Sequence, residues 1–276
     1  MTEVNFKYGS LIRTGPKLKN GGKWDASLDE FVRNAHTNAD LTIYISVHFV
    51  KIDPPAGRTG LYGDTDDTQA HPSKRKIQRW GHGEFELFTR RLLSSAQRYW
   101  NGVFWLQTPA RYNGLDWPDA KPTHRCNTYC RLELAQAWRE ADAHYTIAVV
   151  RAQDGEQFRS NSVLYSQLDI RSAKMIPHST AKFWTHFHEV GHLLGLGHIG
   201  WSGHHNLHAN NSPQAYGVTL KDKTDVMGMG SIRHHWHALP WQQAAAEFTG
   251  TKPNDWAVHM HHILPNPLVH GQSAHA

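Results

Sequence analysis

The stretch His188-Glu189-Val190-Gly191-His192-Leu193-Leu194-Gly195-Leu196-Gly197-His198 constrains this chain more than any other. On a helix, residues four apart share a face, so His188 and His192 can aim two imidazoles at one ion. The stripe Phe183, Phe187, Val190 and Leu194 is apolar and faces a core. Glu189 lies one step beyond the first imidazole, where its carboxylate reaches a water beside the ion without binding the ion. A continued helix would carry His198 off the shared face. Gly195 and Gly197 can adopt the left-handed conformation and turn the chain back, which brings His198 in as a third nitrogen. Three nitrogens with one open position describe a reactive zinc site better than a closed structural one.

The chain holds 22 histidines in 276 residues, so accidental matches have to be weighed. At that abundance the short pattern HExxH arises by chance on the order of one time in twenty. Requiring Gly195 and His198 as well lowers this to roughly one in a few thousand. The other histidines carry less. His186 points away from the ion on a helix and reads as packing. His204, His205 and His208 fall in a loop and compete with His198 only by proximity in sequence. His234, His235 and His237 are candidates to reach a cleft as substrate or oxyanion groups.

The full pattern HExxHxxGxxH resembles the signature of the metzincin metallopeptidases, whose second hallmark is a methionine turn beneath the metal. Asp225-Val226-Met227-Gly228-Met229-Gly230 follows, with Met227, 29 positions after His198, the candidate base and Met229 its alternate. The resemblance implies an α+β fold: a twisted mixed β-sheet with two long helices in an upper lobe, and a small irregular lower lobe ending in a C-terminal helix. It further implies one Zn2+ held by His188, His192 and His198, with Glu189 as general base for hydrolysis of a polypeptide substrate. An edge strand would pair with extended substrate, and Ser162, Val163, Leu164 and Tyr165 are placed there. Met229 stands where some metzincins carry a further tyrosine ligand, so no subfamily is assigned. The same chemistry also serves an amidase acting on cell-wall peptide, and a zinc-binding module without catalysis is the third reading.

Patterning supplies the remaining elements. Leu41–Val50 is β-branched and aromatic and reads as a strand, as do residues 103–106, 144–150 and 162–170. Phe85, Phe88, Leu92, Leu93 and Ala96 recur at helical period over 84–100. Ser179 or Thr180 can cap a helix running to Leu194, and Pro240–Phe248 forms a last helix. Residues 1–39 read as an irregular extension, 52–73 as a loop and 251–276 as a tail. Between them 40–250 forms the catalytic domain, divided near residue 198 into upper and lower lobes.

Composition excludes several classes. Hydrophobic residues make up 39% of the chain, enough for a core. No apolar run is long enough to cross a membrane, and the first residues lack the apolar core of a signal peptide. The expectation is therefore a protein that leaves its cell, as an effector or toxin, by a route that reads no such signal. A net charge of +5 is too modest to argue for nucleic acid. The basic run Lys74-Arg75-Lys76 reads as a solvated loop. Cys126 and Cys130 are too few for a four-cysteine metal site. They would share one face if 125–141 were helical, either as buried thiols or as a strained disulfide.

Overall fold

The computed structural model describes residues 4–7, 10–14, 24–29, 39–63, 74–109, 127–156, 158, 160–173, 182–199 and 213–260. It is a mixed α/β architecture with one mixed sheet and few helices. The strands are β1 (Val4–Lys7), β2 (Ser10–Thr14), β3 (Asp25–Asp29), β4 (Ala39–Ile52), β5 (Thr59–Gly63), β6 (Lys74–Gln78), β7 (Phe104–Gln107), β8 (Asn127–Gln136), β9 (Tyr145–Val150), β10 (Leu164–Ser166), β11 (Ser172–Ala173), β12 (Phe183–Trp184) and β13 (Ala257–Met260). The helices are α1 (Glu84–Trp100), α2 (Thr185–Leu193), α3 (Leu220–Thr224) and α4 (Leu239–Thr249).

The large sheet runs β1-β2-β3-β4-β8-β7-β13, with β9 on β4 and β10 on β9. Strands β4, β8, β9 and β10 are parallel to one another, and the remaining pairs of this sheet are antiparallel. β4 organises the sheet because the alternate residues Leu41, Ile43, Ile45, Val47 and Phe49 are all buried. Register sets Ile43 opposite Leu132 and Ile45 opposite Leu134, so β8 extends the same apolar face. Phe88, Leu92, Ala96 and Trp100 of α1, Val190 and Leu193 of α2, and Trp241 and Ala245 of α4 join these residues in one core.

Several expectations change. Residues 1–39 are not an irregular lead-in: β1, β2 and β3 lie within them, and Trp24, Ala26 and Leu28 are core. Alternation in a five-residue strand is too short to separate from loop composition, which is why the sequence hid it. The segment after residue 250 also returns to the sheet, where β13 pairs with β7. The basic run is likewise a strand, β6, paired with β5 inside the expected loop.

Residues 127–136 form strand β8, not a helix, and Cys130 is a free, buried thiol whose pKa burial pushes up. Cys126 lies outside the described residues. The expected strand 162–170 shrinks to Leu164–Ser166 and is followed by turns. Helix α2 begins at Thr185, since Phe183–Trp184 form β12. The proposed caps Ser179 and Thr180 lie outside the described residues.

Candidate metal centre

Helix α2 ends by a Schellman motif: Leu196 N donates to Gly191 O and Gly195 N donates to His192 O, both at 2.9 Å. Gly195 has φ 92°, the left-handed turn that glycine makes without strain. Gly195 alone supplies that reversal; Gly197 has no positive φ. The reversal carries His198 back to the helix, so His188, His192 and His198 each offer a ring nitrogen within 4.8 Å of the others.

The hydrogen bonds decide which nitrogens are available. His188 Nδ1 lies 2.8 Å from Val226 O, and His192 Nδ1 lies 2.8 Å from Leu196 O. A carbonyl only accepts, so both Nδ1 atoms carry the proton and both Nε2 atoms are bare. Those bare atoms are 3.1 Å apart, and His192 Nε2 is 3.2 Å from His198 Nε2. Two facing lone pairs cannot bond each other. A cation between them relieves the repulsion, and a tetrahedral ion with N ligands at ~2.05 Å requires a spacing of roughly 3.3 Å. The donor set therefore fits a metal ion, and the Nδ1–carbonyl bonds are the outer contacts that orient ligating imidazoles. Burial, with the other two imidazoles adding to it, holds His188 well below the ordinary histidine pKa; burial also lowers that of His192. Burial thus favours the neutral imidazole in both, the form in which a histidine can ligate a metal.

Glu189 is buried next to the triad. Met227 rather than Met229 lies beneath the helix: a Cβ at Gly191 would meet Met227 Sδ at 2.3 Å. Glycine at 191 is thus what lets the methionine close against the backbone between the two helical ligands. Trp100 completes this packing, its Nε1 donating to Phe187 O at 3.3 Å, and Tyr99 stacks on Phe187 at 4.0 Å.

Other histidines are satisfied elsewhere. His186 Nδ1 lies 2.8 Å from Asp169 O and its Nε2 lies 2.8 Å from Ser95 Oγ, which ties α2 to α1. His237 Nε2 donates to Asp225 Oδ1 at 3.0 Å while its Nδ1 accepts His234 N at 2.8 Å. His234 stacks on Trp236 at 4.3 Å. His237 is therefore committed to the protein interior, contrary to the expectation of a cleft group. His204, His205 and His208 lie outside the described residues.

Of the four candidate substrate-binding residues, Val163 is exposed and Ser162 half-buried, whereas Leu164 and Tyr165 are buried. The Leu164 backbone pairs with Ala148 in β9 and also exchanges two hydrogen bonds with Asn161. The open edge is correspondingly short.

Tyr216 is a site residue that the sequence reading missed. Its ring lies 4.2 Å from His198 and 5.9 Å from His188, and so walls the centre. No motif marks it, because it stands in a 3-10 turn only four residues long (Pro213–Tyr216), too short to show a period. No protein-family model, curated protein or solved structure matches this chain.

Proposed function

We propose that this chain is a zinc-dependent endopeptidase of metzincin-like organisation, with His188, His192 and His198 as ligands and Glu189 as general base. The observation that carries the reading is the pair of bare Nε2 atoms held 3.1 Å apart by outward Nδ1–carbonyl bonds. Three nitrogen donors are the number that leaves a position for substrate. Zinc is the ion of this reading because neutral imidazole suits it and, among the described residues, the cluster offers three histidine nitrogens and no carboxylate.

A bound zinc ion would supply Lewis-acid polarisation of the scissile carbonyl and lower the pKa of water. The protein's own residues do the rest. His188 and His192 stay neutral and fixed in tautomer by Val226 O and Leu196 O. Glu189, one residue past the first ligand, takes the proton from the attacking water and hands it to the departing amine nitrogen. Tyr216 walls one side of the centre and limits how the peptide approaches.

The test is metal analysis of the purified protein followed by assays on an unfolded protein and on peptidoglycan fragments, each with a chelator control. Zinc near one equivalent, with chelator-sensitive cleavage of the unfolded protein, is the expected result. Cleavage of the cell-wall fragments alone would move the assignment to an amidase.

A further inference from the structure

The turn Asp225–Gly230 grips the triad at three points. Val226 O accepts from His188 Nδ1, and Met227 O accepts from the N–H of Ile199, the residue after His198, at 3.2 Å. The Met227 side chain fills the space under Gly191, next to His192. The turn therefore bonds His188 directly, holds the backbone next to His198, and packs beneath the helix between His188 and His192.

What folds that turn is a single carboxylate. Asp225 is fully buried. Its Oδ1 accepts Met227 N at 2.6 Å and His237 Nε2 at 3.0 Å. Its own carbonyl accepts Gly228 N and Gly230 N, both at 3.0 Å, which closes the loop. No lysine or arginine pairs with it among the described residues, and Oδ2 has no hydrogen-bond partner there. His237 cannot supply the balancing charge, because its Nδ1 accepts from His234 and its one proton is spent on Oδ1. A fully buried carboxylate with no lysine or arginine on it among the described residues, and only the His234 Nε2 at 3.9 Å beside Oδ2, has its use in the geometry it imposes.

We propose that the Asp225–His237 pair is the positioning device of the metal centre: it folds the 225–230 turn whose carbonyls set His188 and the backbone behind His198. Neither residue touches the ion. His237 precedes α4, so the pair also fastens the last helix to the centre.

The inference rests on the triad holding a metal, and it is tested on metal binding alone. The measurement is cobalt(II) affinity by chelator competition, with the visible spectrum of the bound ion, on the whole chain. Circular dichroism of each metal-free variant checks folding. Asp225→Ala should weaken binding 10- to 100-fold and alter the spectrum, the size expected when a partner behind a ligand is lost. Asp225→Asn should restore affinity and spectrum, because its amide oxygen accepts the same two bonds. His237→Ala should fall between them. A folded Asp225→Ala or His237→Ala variant with wild-type affinity and spectrum would overturn the proposal. Should Asp225→Ala fail to fold, His237→Ala carries the test alone. A wild-type protein that binds cobalt yet cleaves no peptide would defeat the peptidase reading and leave this inference standing.

Discussion

Helix α2 carries buried histidines on two sides, and the two sides differ in one respect. Toward α1, His186 has both ring nitrogens matched, one by Asp169 O and one by Ser95 Oγ. On the opposite side, His188 and His192 have Nδ1 matched and Nε2 facing another bare nitrogen. Burial is common to both, and so is neutrality, since burial pulls His186 down to about 4. The difference lies in lone pairs with nowhere to go. Histidine abundance does not mark a metal site in this chain; unmet acceptors held at ligand spacing do.

The sharpest way to break that contrast is to remove one histidine from each side. His188→Ala should cost a third of a three-ligand site. Against the ~10–16 kcal/mol of a structural zinc site, that is roughly two to four orders of magnitude in affinity. His186→Ala should leave stoichiometry and affinity unchanged while lowering stability by about 1–3 kcal/mol, since it strands buried polar groups. Calorimetric zinc titration of both variants checks this. Equal losses of affinity would erase the distinction.

The back side also predicts a pH signature. Burial raises the Asp169 carboxyl to about 7, against opposing hydrogen bonds from Ser160 and Ser166. The folded state therefore binds this proton more tightly than the unfolded chain. The stabilisation is present below pH ~4 and is lost as pH rises toward 7, amounting to up to about 4 kcal/mol. His186 works in the opposite sense: its lowered pKa makes stability fall as pH drops from 6.5 toward 4. Asp169→Asn removes the first slope and exposes the second. Denaturant titrations from pH 4.5 to 7.5 should then show stability rising with pH in the variant more than in the wild type; parallel curves would refute the assignment.

Smaller effects test the packing around the centre. Gly191→Ala gains helix propensity, worth ~0.5–1 kcal/mol. It also drives a methyl into Met227 Sδ, and overpacking of this kind costs ~1–3 kcal/mol. The net should be a lower melting temperature, and Gly191→Ala with Met227→Ala should recover part of it. Tyr216→Phe should leave metal affinity within about twofold, whereas Tyr216→Ala should weaken it by ~1 kcal/mol, the worth of a ring contact. Dialysis against a metal buffer resolves that difference.

Much of the candidate site was legible because it is local. Eleven consecutive residues hold the helix, its glycine stop and the returning histidine, and each follows from helical period or glycine's conformational freedom. Met227 was reached only through the metzincin resemblance, which implies a methionine turn after the third histidine. The roles of Asp225, His237 and Tyr216 were not legible, because they exist only once segments separated in sequence fold together, and an aspartate in a turn reads as an ordinary turn residue. The fold follows the same division. Helix α1 and strand β4 announce themselves by sustained period. Strands β3 and β13 are short, and their identity comes from neighbours distant in sequence; β8 stayed open in the sequence, where the spacing of Cys126 and Cys130 suits a helix or a strand.

On the proposed reading, Glu189 performs chemistry beside a metal it does not hold. The direct measurement is zinc content and peptide hydrolysis for Glu189→Ala beside the wild type. The account predicts zinc at wild-type stoichiometry with cleavage reduced by at least ~10²–10⁴-fold, the contribution of a general base. Undiminished cleavage in that variant, or loss of the zinc itself, would contradict it.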